Sequence, residues 1–118
     1  MASLAGLMKD LPKIKARLAE VKDRLGEVKV SAETGGGAVK ATANGLMRVV
    51  SLEINPALMA TLVDASNEDD RAMAQDLVVG AVNAALARAR ERAEQEMSEA
   101  ASELGLPIPP GGLGGMMT

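Results

Sequence analysis

The residues best suited to chemistry are the lysines and arginines near the N-terminus. Clustered cations on long side chains suit contact with phosphate, because that contact is mainly electrostatic and needs charge with reach. The same charges are equally suited to a solvated helix face that pairs with nearby glutamates. The residues in this group are Lys9, Lys13, Lys15, Arg17, Lys22 and Arg24.

A second basic group follows much later in the chain, at Arg88, Arg90 and Arg92. Helical spacing places Arg88 and Arg92 on one side of a helix and Arg90 on the other. Pairing with neighbouring glutamates and contact with phosphate are both open to this group.

Catalytic residues are not recognisable in the sequence. Without histidine or cysteine, the usual general base, the commonest metal ligand and a thiolate nucleophile are missing. Residues 35–37, a glycine triplet, lack the following Lys-Ser/Thr of a phosphate-binding loop and are predicted to form a turn. The carboxylates at 68–70 are explained by stabilisation of a helix start. We predict no enzymatic activity, no cofactor, no metal site and no small-molecule substrate.

Composition and charge restrict the partners further. The absence of Phe, Tyr and Trp removes the aromatic platforms that stack single-stranded nucleic acid, leaving only arginine planes. The net charge is −3, but residues 1–48 carry a net +4 and residues 49–118 a net −7. The average therefore hides a basic N-terminal segment that is suited to an anionic partner.

These basic residues lie on a strongly periodic segment. Apolar residues recur at alternating spacings of three and four, which predicts a long helix packed on another helix, kinked or frayed near Pro12. Lys15 and Lys22 flank this seam on one side, and Arg17 and Arg24 flank it on the other. Two parallel copies would oppose like charges, so the helix needs an acidic neighbour or an anion. The seam is Leu4, Leu7, Leu11, Ile14, Leu18, Val21, Leu25 and Val28.

A three-stranded antiparallel meander is predicted next. Alternation over 28–33, 39–43 and 47–54 indicates strands, and Asn44-Gly45 predicts a type I′ turn between the last two. Asn55-Pro56 then starts a short helix, and a long helix runs from the acidic residues at 68–70 to about 104. Because its second half is acidic, we predict that it pairs antiparallel with the first helix. The fold class is α+β.

A shared core between two copies is also predicted. A small domain built only from aliphatic, Met and Ala side chains is marginal alone, which favours a homodimer. The third strand and the apolar half of the long helix supply the predicted interface: Val50, Leu52, Ile54, Leu77, Val78, Ala81, Val82 and Ala85.

Neither a membrane span nor a secretory signal is predicted from the sequence. No apolar run approaches the roughly 18 residues that mark a membrane span, and the N-terminus has no signal-peptide pattern. We expect a cytoplasmic protein without a membrane partner. One domain is predicted over 1–104, followed by a disordered Gly/Pro-rich tail over 105–118.

The ordered set of motifs resembles the YbaB/EbfC family of bacterial nucleoid-associated proteins. The similar residues are Gly35-Gly36-Gly37-Ala38-Val39-Lys40, Asn44-Gly45, Val50 to Pro56 with Leu58-Met59, Asp76-Leu77 and Ala81-Val82-Asn83-Ala84-Ala85, together with the opening Leu7-Met8-Lys9. Leu11 and Pro12 depart from a segment that is usually rich in Gln and Met, and the segment between residues 58 and 68 is slightly long.

This resemblance implies an intertwined homodimer in the nucleoid that binds double-stranded DNA with little sequence preference. The DNA-contact candidates are then Arg88, Arg92 and the basic residues of the first helix, Lys9, Lys13, Lys15, Arg17, Lys22 and Arg24. The alternative is a dimeric accessory protein for replication or recombination factors that touches DNA little, which the acidic total charge favours.

Overall fold

The described chain is an α+β arrangement of three helices and one sheet. The computed structural model describes residues 4–64 and 66–105, with residues 4–10 described by their backbone alone. The predicted disordered tail, from residue 106 onward, lies outside the described residues. The elements are α1 (Leu4–Glu27), β1 (Lys29–Thr34), a 3₁₀ turn (Gly35–Gly37), β2 (Val39–Asn44), β3 (Val49–Ile54), α2 (Pro56–Val63) and α3 (Glu68–Glu103).

The predicted first helix is confirmed as α1, which is continuous through Pro12. Among the seam residues whose side chains are described, those buried within the chain lie toward the C-terminal end of α1. Val21 and Leu25 are buried, whereas Leu11 and Leu18 are exposed. Ala93, Met97 and Ala100 of α3 pack against the buried part, so the seam meets another helix over little more than two turns.

The sheet is the predicted antiparallel meander, in the order β1-β2-β3. Val39, Ala41 and Ala43 of the central strand are fully buried and face α3 in the main core. This is the period-two burial expected of a strand with one covered face. The glycine triplet forms the predicted turn, with φ of 63°, 66° and 97° at its three residues.

The type I′ turn predicted at Asn44-Gly45 is wrong. Neither residue has a positive φ; the left-handed residue is Met47, with φ 63°. The amide of Met47 donates to the carbonyl of Asn44, and the amide of Asn44 to the carbonyl of Arg48, which is the pattern of a three-residue hairpin loop. The Asn44 side-chain oxygen accepts from the amides of Leu46 (2.9 Å) and Arg48 (3.2 Å). Asn44 therefore shapes the loop with its side chain rather than its φ.

A row of small residues brings α3 close to the other elements. Its buried positions recur mostly every fourth residue, which places them on one face of the helix. Alanine permits close approach of a helix backbone because it carries only a methyl group. The first part of the row covers the sheet and the last part covers α1. The row is Ala74, Ala81, Ala85, Ala89, Ala93, Glu96 and Ala100.

The predicted antiparallel pairing of the two long helices is confirmed. Arg17 of α1 lies 2.6 Å from Glu103 of α3, and Arg24 lies 3.2 Å from Glu96. Moving seven residues forward along α1 therefore moves seven residues back along α3. The acidic neighbour that the charge pattern of α1 requires is α3.

Candidate nucleic-acid interface

Arg17 is the most heavily neutralised of the predicted DNA-contacting cations whose side chains the structure describes. Its guanidinium lies 3.1 Å from a Glu20 carboxylate oxygen and 2.6 Å from one of Glu103. The hydrogen bond to Glu20, with the nearby charge of Glu103, raises the pKa of Arg17 above its ordinary value. Two carboxylates on one guanidinium leave a local net charge of −1, so Arg17 joins α1 to α3 more than it offers charge to an anion.

Arg24 and Arg92 share one carboxylate instead. Arg24 Nη1 donates to Glu96 Oε2 at 3.2 Å, and Arg92 Nε donates to Glu96 Oε1 at 3.3 Å. Two cations around one anion leave a local net charge of +1. These residues, far apart in sequence, meet because α1 and α3 run antiparallel.

Lys13, Lys15 and Lys22 are exposed on α1. Considering only the side chains described, none of the three lies within ion-pair distance of a carboxylate. Lys15 and Lys22 are seven residues apart, hence nearly two turns along one side of the helix. The backbone of Lys9 lies in α1, but its side chain is outside the described part.

The second basic group is divided between structural roles. Arg88 donates a hydrogen bond to the backbone carbonyl of Ser31 in the edge strand β1. Arg90 lies 3.7 Å from Glu94, one turn along α3. Arg88 and Arg92, paired by their helical spacing, therefore face different surroundings: a strand backbone and a carboxylate.

The predicted interface residues differ in how much of their surface is exposed. Ala81 and Ala85 are fully buried against the chain's own sheet, which leaves them no surface for a partner. Val50 and Leu52 are exposed, and the other four predicted residues are half-buried: Ile54, Leu77, Val78 and Val82.

Large apolar side chains that sequence reasoning did not assign to the interface are also exposed. Met73 and Val79 of α3 are 65% and 56% exposed. Their signal was present, since α3 is apolar around most of its circumference in this half and the sheet covers only one side. The others are Leu46, Val49, Met59 and Val63.

The described residues contain neither a cluster suited to a metal ion nor a helix suited to a membrane. Within 4–64 and 66–105, no three carboxylates converge closely enough to hold a metal ion. None of the helices in those ranges combines the length and apolar composition needed to cross a membrane.

Comparison with known proteins decides the family. Residues 1–104 match the model of the YbaB/EbfC DNA-binding family. The chain belongs to this family. The resemblance noted from the glycine triplet, the Asn-Gly loop and the long C-terminal helix is thereby confirmed.

Relatives within the YbaB/EbfC family carry consistent names. A "Nucleoid-associated protein" of Anaeromyxobacter dehalogenans (strain 2CP-C) is 38% identical over 101 residues, covering 86% of this chain and 91% of the relative. One of the same name from Moorella thermoacetica is 37% identical over 107 residues, covering 91% and 96%.

The fold also has a solved counterpart. The crystal structure of an uncharacterized protein from Helicobacter pylori superposes with a TM-score of 0.66 at 22% identity, covering 84% of this chain and 97% of that one. At this identity the likeness supports the α+β fold alone.

Proposed function

We propose that this YbaB/EbfC protein binds double-stranded DNA as a homodimer with little sequence preference, and that it is located in the bacterial nucleoid. The observation that carries the proposal is the set of exposed lysines on α1 in a member of a DNA-binding family. The names of the relatives, which describe them as nucleoid-associated, support the location.

Low sequence preference follows from the kind of contact available. Lysine ammonium groups bind phosphate as mobile point charges, and phosphate contacts carry no direct sequence information. Reading base edges typically uses bidentate arginine, asparagine or glutamine side chains. Arg17 and Arg88 are both engaged within the chain, which leaves mainly phosphate contacts to α1.

The acidic total charge does not oppose this proposal, because the charges are segregated. Three carboxylates of α3 form ion pairs with arginines: Glu103 with Arg17, Glu96 with Arg24 and Arg92, and Glu94 with Arg90. Among the described side chains, no carboxylate lies within ion-pair distance of Lys13, Lys15 or Lys22, so the field beside each of these ammonium groups is positive. Over distances shorter than the Debye length, about 8 Å at physiological salt, such a local field matters more than the net charge.

The test is duplex binding measured by fluorescence anisotropy over a salt series. Replacing Lys13, Lys15 and Lys22 with Gln is expected to weaken binding and to reduce the slope of log K against log salt by roughly one per lost phosphate contact. Lys40→Gln removes one charge on the sheet, beside Glu53, and serves as the control for single-charge removal against Lys22→Gln. Unrelated duplex sequences should differ less than the roughly 1 kcal/mol that one mismatch costs a specific binder.

Two results would reject the proposal. One is the absence of binding by the wild-type protein at about 50 mM salt, where phosphate-driven association is strong. The other is a triple variant whose affinity and salt slope match those of the wild type. The second result would favour the accessory-protein alternative if the wild type bound DNA only weakly.

A further inference from the structure

Glu96 is an exception within the buried row of α3. Its neighbours in that row are alanines, yet Glu96 is only 8% exposed. Removing a carboxylate from water is costly unless it is paired and hydrogen-bonded. A small apolar residue would fill this position without that cost, so the carboxylate requires an explanation.

Each oxygen of the Glu96 carboxylate accepts a hydrogen bond from a different arginine. Arg24 comes from α1 and Arg92 from the preceding turn of α3, at 3.2 Å and 3.3 Å. Both arginine side chains remain about half exposed, at 46% and 48%. A guanidinium has five N–H donors, and the hydrogen bond to Glu96 uses one of them, so most donors of both arginines remain for an external acceptor.

Comparison with Arg17 indicates that the group of Arg24, Glu96 and Arg92 does more than join α1 to α3. Arg17 faces two carboxylates and its side chain is 21% exposed. Arg17–Glu103 already ties α1 to α3 one heptad away. At Glu96 the ratio is reversed, with two cations, one anion and an outward excess of positive charge.

We propose that Arg24 and Arg92 form a two-arginine site for a DNA phosphodiester group, and that Glu96 is its positioning residue. This inference rests on the proposed DNA-binding function and adds a defined phosphate site across the α1–α3 junction. Guanidinium groups bind phosphate oxygens with directed, charge-assisted hydrogen bonds. By holding each arginine through one nitrogen, Glu96 limits the rotamer freedom and mutual repulsion that would otherwise oppose joint binding.

The decisive variant is Glu96→Gln, because simple electrostatics and a positioning role predict opposite changes in DNA affinity. Simple electrostatics predicts tighter DNA binding when a negative charge is removed. Positioning predicts binding about threefold weaker, with a salt slope lower by about one, the change expected for one lost phosphate contact. Glu99→Gln removes the same charge from an exposed α3 site that takes part in none of the ion pairs of the described side chains, and it should leave affinity unchanged or slightly raised.

A second variant keeps the charge and changes only the geometry. Arg24→Lys combined with Arg92→Lys should also weaken binding about threefold or more, since lysine lacks the planar set of donors. This double variant decides the matter if Glu96→Gln proves unfolded by circular dichroism. Lys15→Arg, with Lys22→Arg, is the matched control on the exposed side of α1.

The outcomes separate the inference from the function beneath it. Salt-dependent binding by the wild type, with Glu96→Gln binding DNA as tightly as Glu99→Gln or more tightly, rejects the positioning role and leaves DNA binding intact. Unchanged affinity in the double lysine variant rejects the two-arginine site. Failure of the wild type to bind duplex DNA rejects both proposals.

Discussion

At the scale of single residues, glycine is required at position 45 for a different reason from the one that the sequence suggests. The sequence suggests that glycine supplies a positive φ at this position, but Met47 has that conformation. Gly45 is buried, and its amide donates to the carbonyl of Leu25, one of the last carbonyls of α1, at 2.8 Å. Glycine is needed because α1 lies directly against the hairpin loop.

Gly45→Ala tests this contact. The added Cβ would lie 2.7 Å from the Leu25 carbonyl oxygen and 2.8 Å from Leu25 Cδ2, so backbone must move. We expect a loss of roughly 1–3 kcal/mol in the free energy of unfolding, the usual range for overpacking, measured by urea denaturation. Gly26→Ala is the control: its Cβ meets only Leu46 Cδ1 at 3.4 Å, and alanine favours helix. Equal stability of Gly45→Ala and wild type would contradict the contact.

The pairing partners of the arginines were only partly predictable. The positions of Arg17 and Arg24 beside the seam required acidic neighbours, and α3 supplies Glu103 and Glu96. The contact from Arg88 to Ser31 spans 57 residues and has no signal in local sequence, since it depends on how α3 lies over β1. In the sequence Glu96 is one of several acidic residues of α3 and nothing distinguishes it, because burial of a single carboxylate depends on packing between elements.

At the scale of elements, α3 is organised by its alanines rather than by its larger aliphatic residues. Leu77, Val78 and Val82 flank the sheet contact, while Ala81 and Ala85 occupy its centre. Hydrophobicity scales rank leucine and valine above alanine, so periodicity alone points to the flanks. The centre is defined by distance: a helix that lies close to a sheet leaves room for a methyl group there.

Ala85→Leu should therefore destabilise the protein although it adds apolar surface. Ala85 is fully buried against the sheet, and the extra carbons would separate α3 from β1 and β2 at a cost of about 1–3 kcal/mol or more. Thermal unfolding followed by circular dichroism measures the effect. Ala87→Leu, two residues away, is the control, since Ala87 is exposed and lines an open groove of about 400 Å³. A similar loss of stability in both variants would show that the buried alanine row does not determine how closely α3 packs on the sheet.

The meander and the helices were predictable because each has a local cause. Val39, Ala41 and Ala43 alternate with polar residues, and Asn55 caps α2 by accepting from the Leu58 amide at 2.8 Å. The hairpin loop after Asn44 was not predictable, because Asn-Gly fits both a two-residue loop and the observed three-residue loop. The contact of Gly45 with α1, which accompanies the observed loop, has no signal in the local sequence.

At the scale of the whole molecule, two regions of apolar surface are left without cover in the described chain. Leu11 and Leu18 lie on α1, and the other exposed large apolar residues lie on the hairpin loop, β3, α2 and α3. The two edge strands of the sheet also differ from each other. Arg88 occupies a carbonyl of edge strand β1, whereas the opposite edge, β3, exposes Val49, Val50 and Leu52. The β3 side is therefore the surface on which we place the second copy.

Charged substitutions distinguish these two regions by their effect on the oligomeric state. Val50→Glu and Leu52→Glu, both at exposed positions of β3, should each convert the proposed dimer to monomer at micromolar concentration, raising the dissociation constant at least about tenfold, because an unpaired buried carboxylate is strongly unfavourable. Size-exclusion chromatography with light scattering gives the mass directly. Leu18→Glu, an equally large change on α1, should leave the dimer intact if the β3 side forms the interface. A wild-type monomer at that concentration would reject the homodimer, and dissociation by Leu18→Glu alone would move the interface to α1.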